Sequence, residues 1–273
     1  MSLASLNDTD LSGADLSGAF LRGADLSDAK GITQDTLAEQ AGYLGETIMP
    51  DGHESAAFTV RSGEEYPSGK IPPGPPGTRI PAGEYNSDEF VPAFHFEVGE
   101  GWETTEALEA TDYIALAVGV TVKEGQYASS EGEVLITNPL YVLDASNLSE
   151  QKEIPAPEST DKWVSWFQEH PNLDISEPIP VTVGSVTGQQ IDVTVASTPE
   201  NYPQVCGQGQ PCVDLYYTNF TGVVAFEGRT ERFVILDVGE ETVVVNVSAP
   251  ADKRKEFFSK AQKLLETVEW KDT

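Results

Sequence analysis

Residues 222–249 read GVVAFEGRTERFVILDVGEETVVVNVSA. Three runs rich in Val, Ile and Phe are separated by turn residues at Gly228 and at Gly239-Glu240. β-Branched and aromatic side chains suit a pleated surface, and gaps this short close as hairpins. The stretch therefore predicts consecutive antiparallel strands. The same signature extends towards the amino terminus. In PAFHFEV, Phe94, Phe96 and Val98 alternate with His95 and Glu97, one dry face and one wet. DYIALAVGVTV (112–122), EVLITNPLYVL (133–143) and VDLYYT (213–218) continue it. IPVTVGSV (179–186) and QIDVTVAS (190–197) flank Gly188, which reads as a hairpin turn. About eight or nine short strands at hairpin spacing make an antiparallel sheet.

Two amphipathic segments interrupt the strands. In STDKWVSWFQEHP, Trp163, Trp166, Phe167 and His170 fall on one helical face, and Pro171 closes the end. In PADKRKEFFSKAQKLLETVEW, Phe257, Phe258, Ala261, Leu264, Leu265 and Val268 form an apolar stripe. Lys253, Arg254, Lys255, Lys260 and Lys263 occupy the other face. Residues 84–273 thus read as an acidic α+β domain, a mostly antiparallel sheet covered by two helices. Residues 51–83 read as a linker, because Pro72, Pro73, Pro75 and Pro76 interleave with Gly74 and Gly77 and forbid a helix or central strand.

Charge bounds the partners. The chain of 273 residues carries 45 acidic against 16 basic side chains, a formal net charge of -29. Such a surface gains no counterion release on nucleic acid and is repelled by anionic lipid, which argues against both as partners. Cations are attracted non-specifically, and a basic protein partner is compatible. No run approaches the ~18 apolar residues of a membrane span, so no membrane insertion is expected.

The amino terminus has a five-residue period. Leu6, Leu11, Leu16, Leu21 and Leu26 recur at that spacing, each preceded two residues earlier by Ala4, Thr9, Ala14, Ala19 or Ala24. The run SGADL-SGAFL-RGADL resembles the pentapeptide-repeat family. That resemblance implies a short right-handed β-solenoid over residues 1–32, with the leucines and Ala14, Ala19 and Ala24 pointing into its core. Four pentapeptides make one coil, and one coil cannot bury its own apolar faces. The next segment, 33–50, reads as a capping helix and turn: Thr33 is a good N-cap, and Ile32 with Leu37 makes a hydrophobic staple.

FEVGEGW, with Gly101-Trp102, and the Leu264–Trp270 tail resemble the PsbP-like α/β/α sandwich. The Cys206–Cys212 loop and the Pro/Glu-containing stretch around 148–160 depart from it. The resemblance implies a binding or scaffolding role, several members of that family having no enzymatic activity.

Candidate chemistry is sparse. Cys206 and Cys212 enclose Gly207, Gly209 and Pro211, residues that suit a tight reversal. A local disulfide there would contribute roughly 2–3 kcal/mol and favour an extracytoplasmic location; two free thiols are the alternative. His53 lies in a loop, His95 on a wet strand face, and His170 at a helix end, where its charged form would meet the negative pole of the dipole. Trp102, His95 and His170 are the candidates for ligand contact. The acidic run holding Glu97, Glu100, Glu103, Glu106 and Glu109 lacks the spacing of a calcium loop. No cofactor or metal fingerprint is present, and none is expected. The leading reading is a non-catalytic binding or scaffolding protein, bacterial, with an unknown protein partner. The alternative is an enzyme, hydrolase-like, with a site assembled only in the fold. Imitation of DNA is a third reading, for which a single coil is too short.

Overall fold

The computed structural model describes residues 6–14, 16, 21, 24–33, 36–37, 47–52, 69, 76–105, 112–121, 129–145, 152–198, 211–219 and 221–271. The chain divides into two compact units, Met1–Glu65 and Tyr66–Thr273.

In the first unit the five-residue period becomes a turn at four of the leucines. Thr9, Ala14, Ala24 and Ala29 donate their N–H groups to the carbonyls of Leu6, Leu11, Leu21 and Leu26. Parallel bridges join Asp10 to Lys30, four pentapeptides on, and Asp25 to Ile48. Residues 24–32 therefore stack between residues 6–11 and residues 47–50. Leu21, Ala24, Leu26, Ala29, Leu37 and Met49 are buried together, with Leu6, Leu11 and Leu16 half-buried at the margin. Ala14 was expected inside and is exposed. It sits in the outer layer, which among the described residues stacks on one neighbour only. Ala19 lies outside the described residues. Thr33 Oγ1 accepts the Thr36 N–H at 3.2 Å and its carbonyl accepts the Leu37 N–H, the opening turn of a helix.

The second unit is α+β, mostly antiparallel, with two helices. A nine-stranded sheet runs in the order β1 (Arg79–Ile80), β4 (Trp102–Thr104), β5 (Tyr113–Val118), β6 (Gly132–Thr137), β15 (Glu241–Ala249), β14 (Thr230–Val238), β11 (Val186–Val195) and β10 (Ile179–Val183), with β9 (Leu173–Ile175) also on β11. Strand β1 falls inside the expected linker. Arg79 and Ile80 follow the proline cluster and pair with Glu103 and Trp102 at a sheet edge, where prolines nearby break no central ladder. A four-stranded sheet orders β13 (Gly222–Phe226), β12 (Cys212–Tyr217), β7 (Tyr141–Leu143) and β8 (Glu153–Pro155). A three-stranded sheet orders β16 (Glu269–Trp270), β3 (Phe94–Val98) and β2 (Gly83–Ser87).

The large sheet is buried on both faces, which explains why its central strands are nearly continuous in apolar residues. On one face Val234, Leu236, Val243, Val245 and Val247 pack with the three-stranded sheet and helix α2 (Arg254–Leu265). On the other, Phe233, Ile235, Ile191, Val193 and Val244 pack with the four-stranded sheet and helix α1 (Thr160–Glu169). Each large side chain so buried contributes ~1.5–3 kcal/mol.

One local expectation is corrected. The β10–β11 hairpin turns at Gly184-Ser185, since Val183 pairs with Val186. Gly188 lies within β11 opposite Val181, and a Cβ there would stand 1.9 Å from the Ile235 carbonyl oxygen of β14. Its glycine permits close strand approach, not a reversal. Glu97 and Glu103 lie on strands β3 and β4; Glu106 and Glu109 are outside the described residues.

Candidate functional site

Helix α2 lays its apolar stripe on the sheet and turns its basic face outward. Lys260, half-buried, is one member of that face drawn back onto the protein, as are Lys253 beside Glu131 and Arg254 on Thr230. Its Nζ donates to the Gly101 carbonyl at 2.9 Å and stands 4.7 Å from the centre of the Trp102 ring. The turn that offers this carbonyl needs Gly101, whose φ of 76° is strained for any residue with a Cβ. Thr267 fixes the other wall: its Oγ1 accepts the Glu97 N–H at 2.8 Å and donates to the Leu264 carbonyl at 2.7 Å.

A cleft of about 370 Å³ opens between the β3–β4 turn and α2, lined by Glu97, Glu100, Trp102, Lys260, Lys263 and Thr267 among others. A second, of about 210 Å³, lies against Val118, Glu131, Lys253, Glu256, Phe257 and the same Lys260. Desolvation lowers the Lys260 pKa, against the opposing pull of Glu103 and Glu256. The Gly101 carbonyl and the Trp102 ring face are partners for the ammonium that offset part of its lost hydration. The clefts thus offer a positioned cation beside carboxylates.

The expected ligand contacts fall in separate places. Trp102 is 1% exposed. Lys260 covers its face, and it meets Phe257 edge to face at 5.8 Å; it supports the cleft and gives no free stacking surface. His95 lies half-buried on β3 between Asn86 and Glu269 in register, with Nδ1 3.4 Å from Asn86 Oδ1. His170 caps α1 but is 2% exposed. Burial pushes its pKa down to about 4. The expected charged, dipole-stabilising histidine is thus a neutral one: losing hydration outweighs the half-charge of the helix end. Its Nδ1 accepts the Asn172 N–H at 3.3 Å, and its ring meets Trp166 edge to face. No carboxylate is seen to bond His170 among the described residues. Cys212 is 2% exposed at the start of β12 and is not a free thiol. Cys206 and His53 lie outside the described residues. No group of metal-holding side chains of three or more His, Cys, Asp or Glu forms among the described residues.

One titratable group was missed from the sequence. Glu231, on β14, is 1% exposed on the α1 side of the large sheet. Asn246 Nδ2 lies 3.5 Å from its Oε2, and its Oε1 has no hydrogen-bond partner among the described residues. Burial raises its pKa to about 7, against the lowering effects of Ser248, Arg229 and Asn246. Nearby, Tyr216 is fully buried with its hydroxyl 3.1 Å from Thr137 Oγ1. Only the strand alternation of Glu231 with Phe233 and Ile235 hinted that it faces the core.

Residues 4–30 match the family model described as "Pentapeptide repeats (8 copies)". No curated protein matches the chain. Among solved structures, the chain is similar to LpqN of Mycobacterium tuberculosis, involved in cell envelope biogenesis, at 12% identity over 69% of this chain and 90% of that one, with a TM-score of 0.32. It is similar to the cyanobacterial PsbP of Synechocystis sp. PCC 6803 at 7% identity over 69% and 92%, TM-score 0.32. It is likewise similar to the Ran-binding protein Mog1p of Saccharomyces cerevisiae at 9% identity over 70% and 95%, TM-score 0.35.

Proposed function

We propose that this is a non-catalytic binding or scaffolding protein with two recognition elements. Residues 4–30 form a short right-handed solenoid that docks on a protein partner. The second unit presents the α2 cleft to charged groups of a protein surface. One observation carries the reading: Lys260 is anchored by the Gly101 carbonyl and the Trp102 face between two open clefts. An anchored ammonium with acidic residues around it recognises charge by position, as binding surfaces do. The hydrolase reading needs a histidine beside a carboxylate in a cleft, and neither described cleft includes His95 or His170. A disulfide between Cys206 and Cys212 fits the buried, non-free Cys212 and goes with an extracytoplasmic location.

Cross-linking of the intact chain in a native extract tests the proposal. Cross-links to one partner from Lys260 or Lys263, and from Lys30, are expected. Efficient turnover of ester, phosphoester or peptide substrates that is lost in His170→Gln would overturn it.

A further inference from the structure

Strand β5 begins at Tyr113 and β6 ends at Thr137, and these two residues pair. The next opposed pair is Asp112 and Asn138, joined by the Asn138 N–H to the Asp112 carbonyl at 3.0 Å. Directly opposed residues point to the same side with Cβ atoms ~4.5–5.5 Å apart. Both are deeply buried, at 5% and 9% exposure.

Each side chain is held by one end. Asp112 Oδ2 accepts both the Asn219 N–H and the Asn219 Nδ2, each at 2.9 Å. Asn138 Nδ2 donates to the Val91 carbonyl. What remains is Asp112 Oδ1 and Asn138 Oδ1, both buried and both without a hydrogen-bond partner among the described residues. The amide oxygen can only accept, and so can the oxygen of an ionised carboxyl. No Lys, Arg or His among the described residues forms an ion pair with Asp112. Two buried oxygens left without donors on directly opposed residues are unfavourable unless positive charge lies beside them.

We propose that Asp112 and Asn138 form a binding site for a hard cation held through oxygen. Two oxygens from opposed residues can meet one ion at the ~2.3–2.6 Å of calcium ligation, with water completing the shell. A single carboxylate places the affinity in the weak class, ~0.1–1 mM. The net charge of -29 raises the cation concentration around the protein. The place also has a structural consequence. Asn219 comes from the β12–β13 turn, Val91 from the β2–β3 loop, and the pair itself from the large sheet, so the ion would pin all three sheets together.

The test uses the intact chain, stripped with chelator and dialysed at fixed ionic strength. Ca²⁺, Mg²⁺ and K⁺ are titrated in separate arms, reading the melting temperature and the ions retained in native mass spectrometry. One arm is expected to give a saturable rise with one ion retained, reduced at least ~tenfold in affinity in Asp112→Asn and in Asn138→Ala. Asp88→Asn, an exposed carboxylate paired with Lys271, is expected to leave it unchanged. Asn138→Ala keeps the test open should Asp112→Asn fail to fold. An equal rise in wild type and Asn138→Ala would mean general screening, and no saturation in any arm would leave water as the occupant; either result overturns the proposal.

Discussion

Replacing Glu231 by Gln should make the protein's stability depend on pH in a calculable way. The Glu231 carboxyl titrates at about 7 in the folded chain against 4.5 ordinarily, because burial disfavours its charged form. Below pH 4.5 it is protonated in both states and burial carries no ionic penalty. Between 4.5 and 7 the unfolded chain releases the proton while the folded chain keeps it, so stability falls as pH rises. Above 7 both states are ionised and the loss is complete. At ~1.4 kcal/mol per pH unit the loss amounts to roughly 3 kcal/mol. Glutamine keeps the shape and cannot ionise. Urea unfolding of wild type and Glu231→Gln from pH 4.5 to 8.5 isolates this one group, since the other carboxylates are common to both. The stability of the variant relative to wild type should climb by ~3 kcal/mol across that range. A difference that stays flat, or that falls as pH rises, would refute the reasoning. The second result would mean that the ionised carboxylate is stabilised where it lies.

Three further expectations follow from the same structure. His170 has the opposite sign: its pKa is depressed to about 4, so the unfolded chain takes up a proton first as pH falls below 6.5, and ~3 kcal/mol is lost by pH 4. His170→Phe should abolish that loss in urea titrations, and a wild-type-like fall in the variant would show that another group causes it. Gly188→Ala should lower stability by about 2–4 kcal/mol, because the new Cβ meets the Ile235 carbonyl oxygen at 1.9 Å and forces β11 from β14; an unchanged urea midpoint would contradict the close approach. Unreduced intact mass should fall two hydrogens short, with Cys212→Ser costing roughly 2–3 kcal/mol, if Cys206 and Cys212 are bridged; full mass would exclude the bridge.

Local order was the legible part of the sequence. The Gly239-Glu240 reversal is where expected, with Val238 paired to Glu241. The apolar stripes of both helices are buried as their spacing required: Trp163 and Phe167 in one, Phe257, Phe258, Leu264 and Leu265 in the other. What failed involved partners distant in the chain. Nothing near Val244 announces that it lies beside Thr137, since that pairing is decided by the packing of two faces at once. Gly188 passed for a turn because glycine serves reversals and close approach alike, and the deciding atom belongs to Ile235. His170 was read from its helix position, whereas its charge state follows from its burial against Trp166. The candidate cleft shows both sides. Trp102 was singled out, but Lys260, which covers its ring, was read only as one of several basic residues on an outer face.

The binding-module account is tested most directly by capture from a native extract with wild type and the double variant Lys260→Glu, Lys263→Glu, under conditions where circular dichroism shows both folded. The expected result is a stoichiometric protein partner on the wild type, retained at least ~tenfold less by the variant. A partner retained equally by both, or bound by neither while a substrate is turned over, would contradict the account.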